Sequence, residues 1–298
     1  MKPALHEAME ELILAAPKRR QTILNLLSAT RRRVILSLFR CDDEEMLNGI
    51  LGAAKRKVDV KVLMTPRARG WNKRLGDLVK ILKEAGFDAC QYGGPWSKYH
   101  AKYIVSDDQV SLVSSLNLTR KCFDDTFDFI LISRRPELIS GLTTLFYFDW
   151  HAPDVTLPEI PDRLIVGPDR TRLRIIPLLE RATFRIRIVD HRVTDPQVLL
   201  TLARKMKDGI HVEILGRGQI GGLVSHGKMI LIDNDVAVVG SLSLSEAGLD
   251  IRREVAVVID NRAMVAELNR FFDKAADAHT ERLDKTSGPD DDDEDDDE

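Results

Sequence analysis

Cysteine is scarce in this chain: Cys41, Cys90 and Cys122 are the only three in 298 residues. They form no paired framework and no Cys-x-x-Cys spacing, which argues against a disulfide scaffold. The thiols are read as reduced and mostly buried, as in a reducing compartment. Long hydrophobic runs are missing as well. No apolar stretch approaches the roughly 20 residues that cross a bilayer. Leu12 to Ala16, preceded by Glu10 and Glu11, is too short for the core of a secretory signal. The expectation is a cytoplasmic protein.

What is present is the composition of a globular protein, 44% apolar and 31% charged. The net charge of −3 hides a division, because Asp290 to Glu298 are nine consecutive acidic residues. Without them 44 basic residues face 38 acidic ones, leaving a body of about +6 that suits an anionic substrate. Residues 284–298 read as a disordered acidic tail. Such a tail either solubilises the chain or binds a partner, or it mimics phosphate and folds back over a basic cleft.

The chain is one unit written twice. His100-Ala-Lys102 with Asp107 recurs as His226-Gly-Lys228 with Asp233, and each copy is followed by a string of small residues, Ser114 to Asn117 and Gly240 to Ser243. From His100 to about Ser133 the halves match at a constant offset of 126 residues; Asp128 falls on Glu254. Upstream the offset is 152, so Val34 falls on Ile186 and Asp43 on Asp195. The difference of 26 residues marks an insertion between Leu63 and His100. Each repeat reads helix, strand, helix, strand, motif strand and two further strands, with a closing helix. The helices over Asp43 to Lys55 and Asp195 to Lys207 each start at an Asp suited to the N-cap. The last strands are expected over Phe127 to Ile132 and Glu254 to Ile259. This alternation predicts an α/β sandwich with a mixed sheet in each half. Residues 1–152 form the first repeat, the Pro-rich 153–161 a linker and 162–283 the second repeat.

Each copy supplies an imidazole, a fixed positive charge and a carboxylate. In a strand, residues i and i+2 share a face, which points His100 with Lys102 and His226 with Lys228. Cleavage of a phosphate diester through a covalent intermediate needs a nucleophile on one side of phosphorus and a proton donor on the other. Two imidazoles fill those roles, and two lysines neutralise the non-bridging oxygens. Asp107 and Asp233 lie at turns and by spacing alone are turn formers; the duplication places them with His100, Lys102, His226 and Lys228 in the catalytic set. Ser115, Asn117, Ser241 and Ser243 are assigned to hold lysines or phosphate oxygens. No acidic cluster or histidine pair with ligand spacing stands beside the lysines, so no metal and no cofactor are expected.

The doubled HxKx4D, each copy followed by a GSxN-like string, resembles the phospholipase D superfamily over roughly residues 20–280. The resemblance implies two α-β-α sandwich domains packed about a pseudo-twofold axis, with both motifs in one cleft of a single monomer. It implies a phosphohistidine on one histidine, assigned to His100, with His226 as acid. It also implies that Asp128 and Glu254 support the opposite histidines. Ser114 replaces the family glycine and Ser243 the family asparagine, which adds bulk beside the phosphate in one half and shortens a polar arm in the other.

The insertion carries Arg67, Arg69, Lys73, Arg74, Lys80 and Lys83, then Trp96 and Tyr99. Leu75, Leu78, Val79 and Leu82 have helical spacing, which reads as an amphipathic helix with a solvated basic face. Alternatively Arg67, Arg69, Trp96 and Tyr99 form a substrate rim, suited to a lipid surface or to a nucleic-acid strand. The resemblance points first to a phospholipid substrate and peripheral contact with the inner face of a membrane. A nuclease is the alternative, and a phosphate-binding protein with weak catalysis the third.

Overall fold

The computed structural model describes residues 8–96, 98–151 and 156–280. The acidic tail and residues 153–155 of the expected linker lie outside the described residues. Each half is built on one mixed sheet. In the first the strand order is Glu10–Ile13, Ile130–Ser133, Val110–Ser114, Tyr103–Ser106, Arg33–Leu38, Asp59–Met64 and Asp88–Gln91. In the second it is Leu164–Val166, Val255–Ile259, Val236–Gly240, Lys228–Ile232, Arg185–Val189 and His211–Leu215. The two orders match strand for strand, apart from the edge strand Asp88–Gln91. That strand and the helix Asn72–Glu84 are the insertion. Leu75, Leu78 and Leu82 of this helix are buried while Lys73, Arg74, Lys80 and Lys83 are exposed. The helix is therefore amphipathic with a solvated basic face.

Alternation along the strands divides the side chains between two layers. Ile35, Tyr103, Val105, Val113 and Leu131 enter a core shared by both halves, together with Met229, Leu231, Val239 and Val257 of the second sheet. The helices Pro136–His151 and Arg262–Asp277 also pack into that core through Leu142, Phe146, Leu268 and Phe272. Val34, Leu36 and Ile104 face the other way, beneath the helices Ala16–Ala29 and Glu44–Lys55. Ile186, Ile188 and Ile230 do the same beneath Thr171–Glu180 and Pro196–Lys207. Within the expected linker, Leu157 and Ile160 are buried in the shared core, so this stretch is packed against both halves.

The N-caps form as the sequence predicts. Asp43 accepts from Met46 N at 3.0 Å and Asp195 from Val198 N at 2.9 Å. Each carboxylate is also clamped by an arginine one repeat apart, Arg20 and Arg172.

Three expectations about strands change. The stretch Phe127 to Ile132 is two strands, Thr126–Phe127 and Ile130–Ser133; Arg252–Arg253 and Val255–Ile259 repeat the break. Asp128 and Glu254 sit at the breaks. The two short strands leave their own sheets and pair with the other half. Val224 and Ser225 run parallel to Thr126 and Phe127, and Arg252 and Arg253 run parallel to Lys98 and Tyr99. The first motif strand starts at Tyr103, so His100 lies ahead of it, between the crossed-over pair and the sheet. Finally, Glu10–Ile13 is an edge strand antiparallel to Ile130–Ser133, where no secondary structure was expected.

Asp107 and Asp233 do not belong to the catalytic set. The strand Tyr103–Ser106 separates His100 from Asp107, and at about 3.3 Å per residue they stand roughly 20 Å apart along the chain. Asp107 accepts from the backbone N–H of Arg31, Arg32 and Arg33 at 2.7–2.9 Å. Asp233 accepts from the N–H of Thr183, Phe184 and Arg185 and from the Thr183 hydroxyl. Although partial burial opposes it, these donors hold both carboxyls below their ordinary pKa. Each aspartate thus pins the entry of the neighbouring antiparallel strand, with a φ near +52° that Asp tolerates. Asp233→Ala is expected to lower stability by about 2 kcal/mol, read from urea midpoints, because it strands those donors. Its turnover at low temperature should stay near that of the wild type. Loss of turnover without loss of stability would return Asp233 to the catalytic set.

Candidate active site

The two crossed pairings bring each acidic residue against the histidine of the other half. The Thr126–Phe127 pairing ends with Gly227 N donating to Phe127 O at 2.7 Å, and the Arg252–Arg253 pairing with His100 N donating to Arg253 O at 2.8 Å. Nδ1 of His226 then lies 2.8 and 3.0 Å from the carboxylate oxygens of Asp128. Nδ1 of His100 lies 2.9 and 3.0 Å from those of Glu254. With Nδ1 engaged, Nε2 of each ring is the nitrogen left for a substrate. The approach at Gly227 is close. A Cβ there would stand 2.5 Å from the Phe129 ring and 2.8 Å from Phe127 O, so the middle residue of the second motif has no room for a side chain.

The lysines do not run parallel to their histidines as alternation predicts. Nζ of Lys102 curls back to donate to His100 O at 2.9 Å, and Lys228 does the same to His226 O. Both ammonium groups are buried and both pull on the Glu254 carboxyl. The two motifs therefore share one site.

The serines serve the carboxylates instead of the phosphate. Ser115 Oγ donates to Asp128 at 2.6 Å and accepts from Phe129 N at 3.0 Å. Ser241 Oγ donates to Glu254 and accepts from Val255 N at 3.0 Å. Ser243 Oγ donates to Asp190 at 3.2 Å, so the shorter arm is engaged by a buried carboxylate. Ser114 Oγ donates to Leu116 O at 3.2 Å, and its bulk likewise points into the turn. Asn117 is buried, lines the cavity beside His226, and its Oδ1 has no hydrogen-bond partner among the described residues.

The rim also changes. Tyr99 is fully buried; its hydroxyl lies 2.9 Å from Ser37 Oγ and its ring stacks on Tyr92 at 4.9 Å. It is core because its strand lies between the two halves. Trp96 is half-buried against the shared core, with the Arg253 guanidinium 5.9 Å from its ring. Arg67 is exposed and does not line the cavity, whereas Arg69 does.

Two residues went unread in the sequence. Arg19 is fully buried and donates to Thr126 O and Asp128 O at 2.6 Å each, which fixes the crossed strand beside His226. His191 stacks on His226, with ring centroids 6.3 Å apart, and accepts from Lys228 Nζ at 3.3 Å. At the offset of 152 its counterpart is Phe39, whose ring meets His100 edge-on at 4.7 Å. The offset itself was the signal: the pair Phe39 and His191 follows the first matched strand of each half.

The site is electrostatically unequal. Burial pushes the Glu254 carboxyl up to about 7, against the pull of Lys102, the Ser241 hydroxyl, Arg252 and Lys228. Burial would also raise Asp128, but the charge and hydrogen bond of His226, with Arg19 and the Ser115 hydroxyl, hold it well below the carboxylate range. Asp128 is thus a lasting negative charge beside His226. Cys122, Asp128 and His226 present donor atoms within 4.8 Å of one another. The Asp128 oxygens there are already taken by His226, Ser115 and Thr126, with the Arg19 charge close by, so the trio is a poor fit to a cation.

Glu254 gives a pH test. Its folded pKa of about 7 lies above the ordinary 4.5, so the uncharged form favours the folded state. That contribution is complete below pH 4.5 and is lost as pH rises through about 7. Glu254→Gln should therefore be more stable than wild type above pH 7, by on the order of 1–3 kcal/mol, and equal to it at acid pH, read from urea midpoints. Its turnover should fall by at least about 100-fold above pH 7, because a neutral amide replaces the carboxylate that holds the His100 ring. A variant that is less stable above pH 7 would refute the assignment.

The sequence matches the family described as "Cardiolipin synthase, PLD-like domain" over residues 23–150 and 218–276. A polyphosphate kinase of Mycolicibacterium gilvum is 24% identical over 273 residues, covering 80% of this chain and 37% of that protein. Cardiolipin synthase A of Pseudomonas putida is 28% identical over 137 residues, 44% of this chain and 28% of that one. The chain thus spans well under half the length of these curated relatives. Among solved structures, phosphatidylserine synthase of Haemophilus influenzae superposes with a TM-score of 0.75 at 12% identity, covering 91% of this chain and 87% of that one. Polyphosphate kinase of Porphyromonas gingivalis superposes with a TM-score of 0.74 at 16% identity, covering 89% and 46%. At such identities these likenesses show the fold. On its family match, doubled motif and paired sheets, the chain belongs to the phospholipase D superfamily, with a PLD-like domain of the cardiolipin synthase type.

Proposed function

We propose that the protein transfers or hydrolyses a phosphatidyl group through a phosphohistidine, with no metal. The observation that carries this reading is the pair of imidazoles, each held at Nδ1 by a buried carboxylate of the other half, with both lysines in the same site. His100 Nε2 attacks phosphorus while the bond to the leaving oxygen breaks, and His226 gives that oxygen its proton. Water or an alcohol then attacks the phosphohistidine, loses its proton to His226, and releases His100. The inequality of the carboxylates supports this order. The Asp128 carboxyl beside His226 is held well below the carboxylate range, while burial pushes the Glu254 carboxyl beside His100 up to about 7. His226 also has 12% of its side chain exposed against 4% for His100, which suits the group that meets leaving alcohol and water. Lys102 and Lys228 neutralise the five-coordinate transition state.

The family description and the phosphatidylserine synthase fold support a phospholipid as substrate, met by peripheral contact with a membrane. Among the described residues no helix is long and apolar enough to span one. One chain supplies both motifs, which supports action as a monomer. The second reading is transfer from a soluble polyanion, a nucleic-acid strand or a polyphosphate. The basic cavity beside His226 and the polyphosphate kinase relatives favour it.

Wild type and His100→Ala, assayed in chelator on phosphatidylglycerol vesicles, single-stranded DNA and tripolyphosphate, discriminate these substrates. Release of glycerol, lost in His100→Ala, supports the lipid reading; turnover of either polyanion alone supports the second. In His226→Ala, given a p-nitrophenyl phosphodiester whose leaving group needs no proton, the covalent adduct should accumulate on the peptide carrying His100, read by mass spectrometry. An adduct on any other residue would overturn the order of the histidines.

A further inference from the structure

A cavity of about 580 Å³ opens beside His226. Four cations line it, Arg40, Arg69, Arg74 and Lys121, against one carboxylate, Asp42. Trp71 stands in its wall, with the Arg40 and Arg74 guanidiniums 5.5 and 5.0 Å from its ring. The indole thus organises two charges and offers little free face to a base or an acyl chain.

The cavity belongs to one side of the site. Arg69 and Arg74 come from the insertion, which the second half lacks, and Ala247 stands at the position matching Lys121. Near His100, the group facing the ring is Phe39. Arg69, Arg74 and Lys121 have no basic counterpart in the second half, so the repeat is broken by three added positive charges on the side of His226, the histidine that serves the leaving oxygen.

A neutral leaving group such as glycerol has no use for four cations. We propose that the cavity holds a second phosphate carried by the leaving group, so that the bond cleaved is a phosphoanhydride or lies one linker away from another phosphate. This inference rests on the reading of His226 as the acid of the reaction. Cleavage by His100 would then release an anionic phosphate, or phosphomonoester, whose bridging oxygen takes its proton from His226. The same chemistry occurs in a lipid pyrophosphate and in an inorganic polyphosphate.

Calorimetric titration of the full chain with inorganic phosphate and with pyrophosphate, at equal ionic strength, tests the cavity without turnover. Pyrophosphate should bind at least about tenfold more tightly, since it adds charge-assisted bonds. Arg74→Ala and Lys121→Ala should each reduce that ratio to about threefold or less. Lys80→Ala, on the exposed face of the same helix, should leave it unchanged. Equal affinity of the two anions for wild type, or a ratio untouched by Arg74→Ala and Lys121→Ala, overturns the proposal. The source is separated by turnover of phosphatidylcholine vesicles containing diacylglycerol pyrophosphate, compared with turnover of tripolyphosphate; either supports the inference. Equal kcat/KM on phosphatidylglycerol and on both anhydrides overturns it. Absence of all turnover would sink the phosphohistidine reading, while the titration still decides the cavity.

Discussion

Everything at the active centre depends on two exchanges of a two-residue strand between the halves. Thr126–Phe127 pairs with Val224 and Ser225, and Arg252–Arg253 with Lys98 and Tyr99. Each exchange ends one residue short of an acidic group. The strand must leave its own sheet there, and the break carries the carboxylate across to the imidazole of the other half. Neither half contains a complete charge pair, so the site forms only when the shared core closes. The core that closes it is large, with Phe127 and Phe129 of the first half stacked and edge-packed on Phe271 of the second.

Burying two carboxylates, two lysines and an arginine is costly unless the charges are matched. The two halves match them differently. Asp128 has Arg19, anchored on two carbonyls, as well as His226, and stays charged. Glu254 has Lys102, Lys228, Arg252 and the Ser241 hydroxyl, yet burial pushes its carboxyl up to about 7. Behind the second exchange, Arg253 is itself buried against Asp149 and Asp169. Burial lifts Asp149 to about 7 despite that partner. The buried neighbours thus make the two halves electrostatically unequal, while both HxK motifs remain intact.

Much of this was legible in the sequence because it lies in register. The constant offset of 126 residues aligned Asp128 with Glu254, and the offset of 152 aligned the N-caps Asp43 and Asp195. Strands over Val110–Ser114 and Val236–Gly240 fall where alternation places them. The misreadings have a common physical origin. A motif written as one string suggests one site, yet Asp107 and Asp233 are at the far ends of their strands and bind backbone N–H groups there. Ser115 and Ser241 read as holding lysines or phosphate oxygens because hydroxyls bind both, but a buried carboxylate claims each of them first. Tyr99 was placed at the rim for its residue type, whereas its strand runs between the halves. Arg19 and His191 carry no motif, and only three-dimensional pairing shows what they touch.

The central claim, that each motif histidine is held by the carboxylate of the opposite half, is open to one direct measurement. Proton spectra of the protein with 15N-labelled histidine report the imidazole N–H protons bonded to carboxylates. Asp128→Asn should shift or abolish the Nδ1–H resonance of His226 and leave that of His100 in place, and Glu254→Gln should do the reverse. Spectra in which each substitution perturbs the histidine of its own half, or neither, would contradict the account.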